Sequence, residues 1–194
     1  MFVEPRQTHR RALNLIGEKI VFFGDLTLFV LWALGDAFGV MKIPTSVSKA
    51  AGDLAEPASP AGYFEGWNRV YGAPVDDVLL FSRKQAKSLQ RRSAESHLHR
   101  RFVCVICLDG AGVVTVDGVP FELRPGQAHI VFPQSYHSFS RLEKPDLLWM
   151  LITFETREPE KLAILRQRTL SLHGSDLDRI GGMAESFNLG PDPR

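Results

Sequence analysis

Histidine, arginine and tyrosine gather in two short stretches of this chain. His97, His99 and Arg101 alternate in SHLHRR, and Tyr136 and His137 adjoin in PQSYHSF. Side chains two apart on a strand face the same way, so one strand would present His97, His99 and Arg101 together. Two chemistries suit that grouping. Imidazoles, a guanidinium and a phenol at the mouth of a barrel can orient a small ligand whose remainder is buried against apolar walls. Alternatively, His97, His99 and a distal His137 could hold a metal, with water completing its shell. His129 lies on a different strand and is as readily directed outward. Cys104 and Cys107 have redox or zinc-like spacing, but they sit inside FVCVICL. Residues three apart on a strand point to opposite faces, so the sulfurs should not meet. Both read as buried strand residues.

The elements that must position these groups follow from the cadence between His97 and Phe154. Short apolar, β-prone runs are each cut off by Gly, Pro or Asp turns, the pattern of a small antiparallel barrel or jelly roll. Expected strands are 78–82, 102–108, 113–116, 121–123, 128–132, 137–142 and 147–154. Short loops imply meander-like pairing, with 113–116 folding back on 102–108. Asp117-Gly118 is a tight hairpin signal, and Pro125-Gly126 marks another turn. Beyond Glu155 the pattern turns helical. Residues 158–168 carry Pro159 in the first turn, and Leu177, Ile180, Ala184 and Phe187 recur at helical spacing. That stripe predicts an exposed apolar face for docking, with Leu177, Ile180 and Phe187 as a homodimer interface.

The first sixty residues read as an appendage. Residues 20–40 are apolar and nearly long enough to span a bilayer. Asp25, Asp36 and three glycines interrupt them, which favours a buried or partner-covered helix over a membrane anchor. Residues 43–62 are rich in Pro, Ser, Ala and Gly and read as a linker. The expected division is therefore 1–60 extension, 61–157 barrel and 158–194 C-terminal helices. The 194 residues carry 44% hydrophobic and 23% charged side chains, and a net charge of +1, which places no global field on nucleic acid. Arg83 to Arg101 is locally basic and reads as a solvated edge. Two cysteines make no disulfide framework, in keeping with the cytoplasm. No Ser-His-Asp order, P-loop or dinucleotide fingerprint supports a hydrolase, NTPase or dehydrogenase.

In order, the chain presents His97 and His99, Gly110 and Gly112, Asp117-Gly118, Leu123, Pro125-Gly126, Phe132-Pro133, His137, Phe139, and then Trp149 to Glu155. This series resembles a cupin, and more narrowly the N-terminal sensor and dimerisation domain of AraC-type transcriptional regulators, over about residues 78–172. The resemblance implies a sugar or other small effector held inside the barrel, dimerisation through the helices after it, and a separate DNA-reading domain. No pair of helices joined by a short turn remains here for a major groove, so DNA contact is expected only through a domain outside these residues. Cupin enzymes pair the H-x-H with a carboxylate, and the positions where it would fall, Val103 and Cys104, are apolar. The expectation is thus a non-enzymatic sensor without a cofactor. A metal-dependent dioxygenase or isomerase using His97, His99 and His137 is the alternative.

Overall fold

The computed structural model describes residues 42–58, 62, 75–90 and 100–190. Its opening element is a helix, α1 (Thr45–Asp53), inside the segment expected to be a linker. The small-residue composition hid an apolar stripe: Val47, Ala50, Ala51 and Leu54 recur at helical spacing and are all buried. Strand β1 (Val75–Gln85) follows and runs into a single helical turn, α2 (Ala86–Leu89). Then come β2 (Phe102–Asp109), β3 (Gly112–Val116), β4 (Val119–Leu123), β5 (Gln127–Val131), β6 (His137–Ser140) and β7 (Asp146–Thr156). The expected helix over 158–168 is a 3-10 helix, Pro159–Leu165, followed by a short strand that the sequence pattern did not announce, β8 (Thr169–Ser171). The last element is α3 (Gly174–Asn188).

The strands form two antiparallel sheets, ordered β1-β7-β2-β5-β8 and β4-β3-β6. This is the antiparallel jelly-roll arrangement expected, but its pairing is not a meander. Strand β3 does not fold back on β2; it pairs with β4 and β6 in the opposite sheet. The cause lies at Gly110, where φ is +74° and an added Cβ would come within 2.9 Å of the Leu147 Cβ. A residue free of that side chain lets the chain cross between sheets instead of reversing within one. The Trp149 indole N–H donates to the Gly110 carbonyl at 2.7 Å and fixes the crossing.

Alternation along β2 divides its residues between two cores. Val103, Val105 and Cys107 face inward, with Leu79, Phe81, Trp149 and Leu151 from the same sheet and Val114, Val116 and Leu123 from the other. Phe102, Cys104, Ile106 and Leu108 face outward onto α1, α3 and the 3-10 helix. The two sulfurs therefore lie on opposite faces, as their spacing implies, and burial pushes both thiols up to about 12. They are structural groups, held far from thiolate chemistry.

Helix α3 is spent on this outer core. Leu177 and Ile180 are each 1% exposed, which corrects the expected exposed stripe and removes both from any dimer face. Helix α1 covers them: Gly181 lies so close to Val47 that an added Cβ would sit 3.2 Å from Val47 Cγ2. Asn188 also donates to the Ala50 carbonyl at 2.9 Å. Phe187 is half-buried against the same core. No helix among the described residues is long and apolar enough to cross a membrane, and residues 20–40 lie outside them.

Candidate functional site at the barrel mouth

Strand register fixes which inner residues share one end of the barrel. Val103 pairs with Val131 at the end of β5, and the chain reaches β6 at His137 only six residues later. His137 pairs with Val116, an inward residue, so its imidazole shares that inner face. Its ring meets Phe139 edge-on at 5.7 Å, and Phe139 meets Trp149 in the same way at 5.8 Å. An aromatic ladder thus descends from His137 into the interior. Arg101, just before β2, belongs to the same end, because Phe102 pairs with Phe154.

The rim around His137 is built by two loops. Asp117 and Gly118 adopt φ of +50° and +83°, the left-handed pair that a tight hairpin requires. The Asp117 N–H donates to the Tyr136 carbonyl at 2.8 Å, and the Tyr136 N–H donates to Asp117 Oδ1 at 2.9 Å. This reciprocal clamp presents Tyr136 at the rim, where it is 51% exposed.

Arg101 is 5% exposed, and its Nη1 lies 2.7 Å from Asp77 Oδ2. Burial lowers its pKa, and the charges of Asp77 and then Glu155 oppose that shift. Asp77 reaches Arg101 from a bulge: the β1–β7 register slips between Asp76 and Leu79, and Asp77 has φ +54°. Thr153, paired with Val103, adds a hydroxyl that is 7% exposed with its residue. Asp77, Thr153 and Glu155 were absent from the expected site. Thr153 could have been found from its alternation with Trp149 and Leu151, whereas nothing in the local sequence announces the bulge.

Of the expected ligand-contacting residues, Arg101 and His137 come to one end with Tyr136 beside them, while His97 and His99 lie outside the described residues. His129 does not face outward. It pairs with Val105, is 0% exposed, and stacks on Phe121 with ring centroids 4.2 Å apart. Neither ring nitrogen has a well-formed hydrogen bond, although the Arg168 carbonyl is near enough to act on it. Desolvation holds its pKa down at about 4, so the ring is neutral.

A cupin-type metal needs several donors converging. Among the described residues no three His, Cys, Asp or Glu side chains gather for one. Val103, where the carboxylate would fall, points inward and is apolar, and Asp77 is engaged by Arg101. The described residues therefore do not by themselves fit a metal centre.

The sequence profile of the cupin domain matches residues 89–153, 65 of the chain's 194 residues. The match to a cupin domain over that segment agrees with the two-sheet antiparallel barrel. Among solved structures, a cupin protein from Bacteroides fragilis is 17% identical over 47% of this chain and 75% of its own, with a TM-score of 0.33. A cupin 2 domain-containing protein from Halorhodospira halophila is 14% identical over 64% of this chain and 75% of its own, with a TM-score of 0.34. An RmlC-like cupin from Shewanella frigidimarina is 20% identical over 56% of this chain and 98% of its own, with a TM-score of 0.29. No curated protein matches the chain.

Proposed function

We propose that this cupin domain is a small-molecule sensor, the effector-binding unit of a transcription regulator of the AraC type. The observation that carries this reading is the ion pair between buried Arg101 and half-buried Asp77 at the end of the barrel that holds His137. A desolvated ion pair is weak evidence for stability, since apolar replacements often serve as well. Placed beside an imidazole and an exposed tyrosine, above apolar walls, it has the composition of a ligand-orienting site. Val103 at the carboxylate position further favours binding over metal chemistry.

An effector at the mouth would act by binding one arrangement of the rim better than another. Homodimerisation remains part of the proposal, through surface of the C-terminal region other than Leu177 and Ile180, with DNA contacted by a separate domain. The test is calorimetric titration of the purified chain with monosaccharides and small organic acids, with Arg101→Ala as control. Saturable binding lost in the variant supports the sensor.

A second reading, a metal-dependent cupin enzyme, draws on the inward placement of His137. Metal analysis of protein purified without a chelating tag decides against the sensor if iron, manganese or zinc is stoichiometric and disappears in His137→Ala.

A further inference from the structure

Two buried groups at the same end of neighbouring strands lack the partners their chemistry calls for. Arg101 is within ion-pair distance of Asp77, yet none of its Nε, Nη1 and Nη2 atoms makes an aligned hydrogen bond, and all three are buried. On the adjacent strand, Thr153 Oγ1 is likewise buried without a hydrogen bond. A guanidinium carries five donors in a planar fork, and leaving buried donors unmade is costly. Donors that are buried, unfilled and carried at the same end of neighbouring strands define what would suit them. It is an acceptor-rich planar group, able to take two bonds from the fork and one from a hydroxyl.

Asp77 meets this need only in part. Its carboxylate arrives by way of a bulge and a left-handed backbone, at the right distance but outside hydrogen-bond alignment. Its side chain is 24% exposed, so it has a route to water when another acceptor arrives. Resting on the sensing role of this barrel, we propose that Arg101 and Thr153 bind the carboxylate of a small organic acid. Asp77 is then the internal carboxylate which that ligand displaces. Glu155, exposed at the end of β7, adds a second negative charge near Arg101. The site therefore favours monocarboxylates over dianions.

The experiment is titration calorimetry of the 194-residue protein with propanoate, lactate, succinate, propanamide and glucose. Propanoate or lactate should bind, succinate more weakly, and propanamide at least about tenfold more weakly, because hydrogen bonds to charged groups are the strong ones. Arg101→Gln should abolish carboxylate binding, and Thr153→Val should weaken it about fivefold, the worth of one hydrogen bond. Asp77→Asn should tighten binding about fivefold by removing the competing charge. That last sign separates the proposal from a purely structural ion pair, whose loss would weaken binding or unfold the barrel. Thr153→Val and Asp77→Asn keep the test readable if Arg101→Gln does not fold. Equal binding of propanamide and propanoate, or weaker binding in Asp77→Asn, would overturn the proposal. So would no carboxylate binding at roughly 10 mM, the weak end of measurable affinity. Glucose binding without acid binding would sink this proposal and leave the sensor standing.

Discussion

His129 should make the stability of this barrel depend on pH in a way that a single substitution removes. The imidazole is fully buried and stacked on Phe121, and desolvation lowers its pKa from 6.5 to about 4. The folded state therefore binds a proton less readily than the unfolded chain. Above pH 6.5 both states are neutral and the folded barrel has its full stability. As pH falls below 6.5 the unfolded chain takes up the proton first, so stability drops until the folded pKa is passed near 4. At ~1.36 kcal/mol per unit, the whole gap corresponds to about 3 kcal/mol, of which about 2 kcal/mol is lost by pH 5.

The assay is urea denaturation of wild type and His129→Leu at pH 7.5 and pH 5. With a slope of about 2 kcal/mol per molar urea, the wild-type midpoint should fall by about 1 M more than that of the variant. Every other ionisable group is common to the two proteins, so the difference between them isolates His129. Leucine also replaces a polar ring whose hydrogen bonds are unmade, so the variant should be at least as stable as wild type at pH 5. Parallel loss of stability in the two proteins would refute the argument, since a hydrated or hydrogen-bonded ring would titrate alike folded and unfolded.

Charged substitution on α3 provides a different kind of test. Leu177→Asp and Ile180→Asp should each unfold the domain or destabilise it by more than about 3 kcal/mol, seen as lost far-ultraviolet circular dichroism, because both side chains are core. A folded protein with only its oligomeric state changed would restore the exposed stripe. Trp149→Phe should cost about 1–3 kcal/mol in chemical denaturation, through loss of the indole bond to the buried Gly110 carbonyl. Gly118→Ala, where φ is +83° and no atom lies within 4 Å of the added Cβ, should cost about 1 kcal/mol from backbone strain alone.

Short-range signals were the readable part of the fold. Alternation sent Cys104 and Cys107 to opposite faces, Asp117-Gly118 gave its hairpin, and every expected strand from 102 to 154 has a counterpart within a few residues. Pairing was not readable, because a run such as Val113–Val116 carries no mark of which sheet it joins. That choice depends on Gly110 crossing under Leu147, a contact 37 residues away in sequence. Helix α1 was missed for a related reason. Alanines and a lone valine make a weak stripe, and only a partner helix that approaches as closely as Gly181 allows can bury them well.

The site divides along the same line, with a consequence for what the barrel recognises. Arg101, Tyr136 and His137 could be singled out because residue type and alternation are local properties. Asp77 could not, since an acidic pair near the start of a strand ordinarily faces water. A one-residue change in register sends its carboxylate inward. That displacement sets the charge of the mouth. With Asp77 turned outward, Arg101 would be a buried cation with only the exposed Glu155 as counter-charge, a costlier arrangement in the absence of a bound anion. With Asp77 inward, the empty barrel is tolerable, and any incoming acceptor must compete with an internal one. The bulge thereby lets the fold carry a buried guanidinium with an internal acceptor beside it, which is the condition the proposed sensor must meet before any effector arrives.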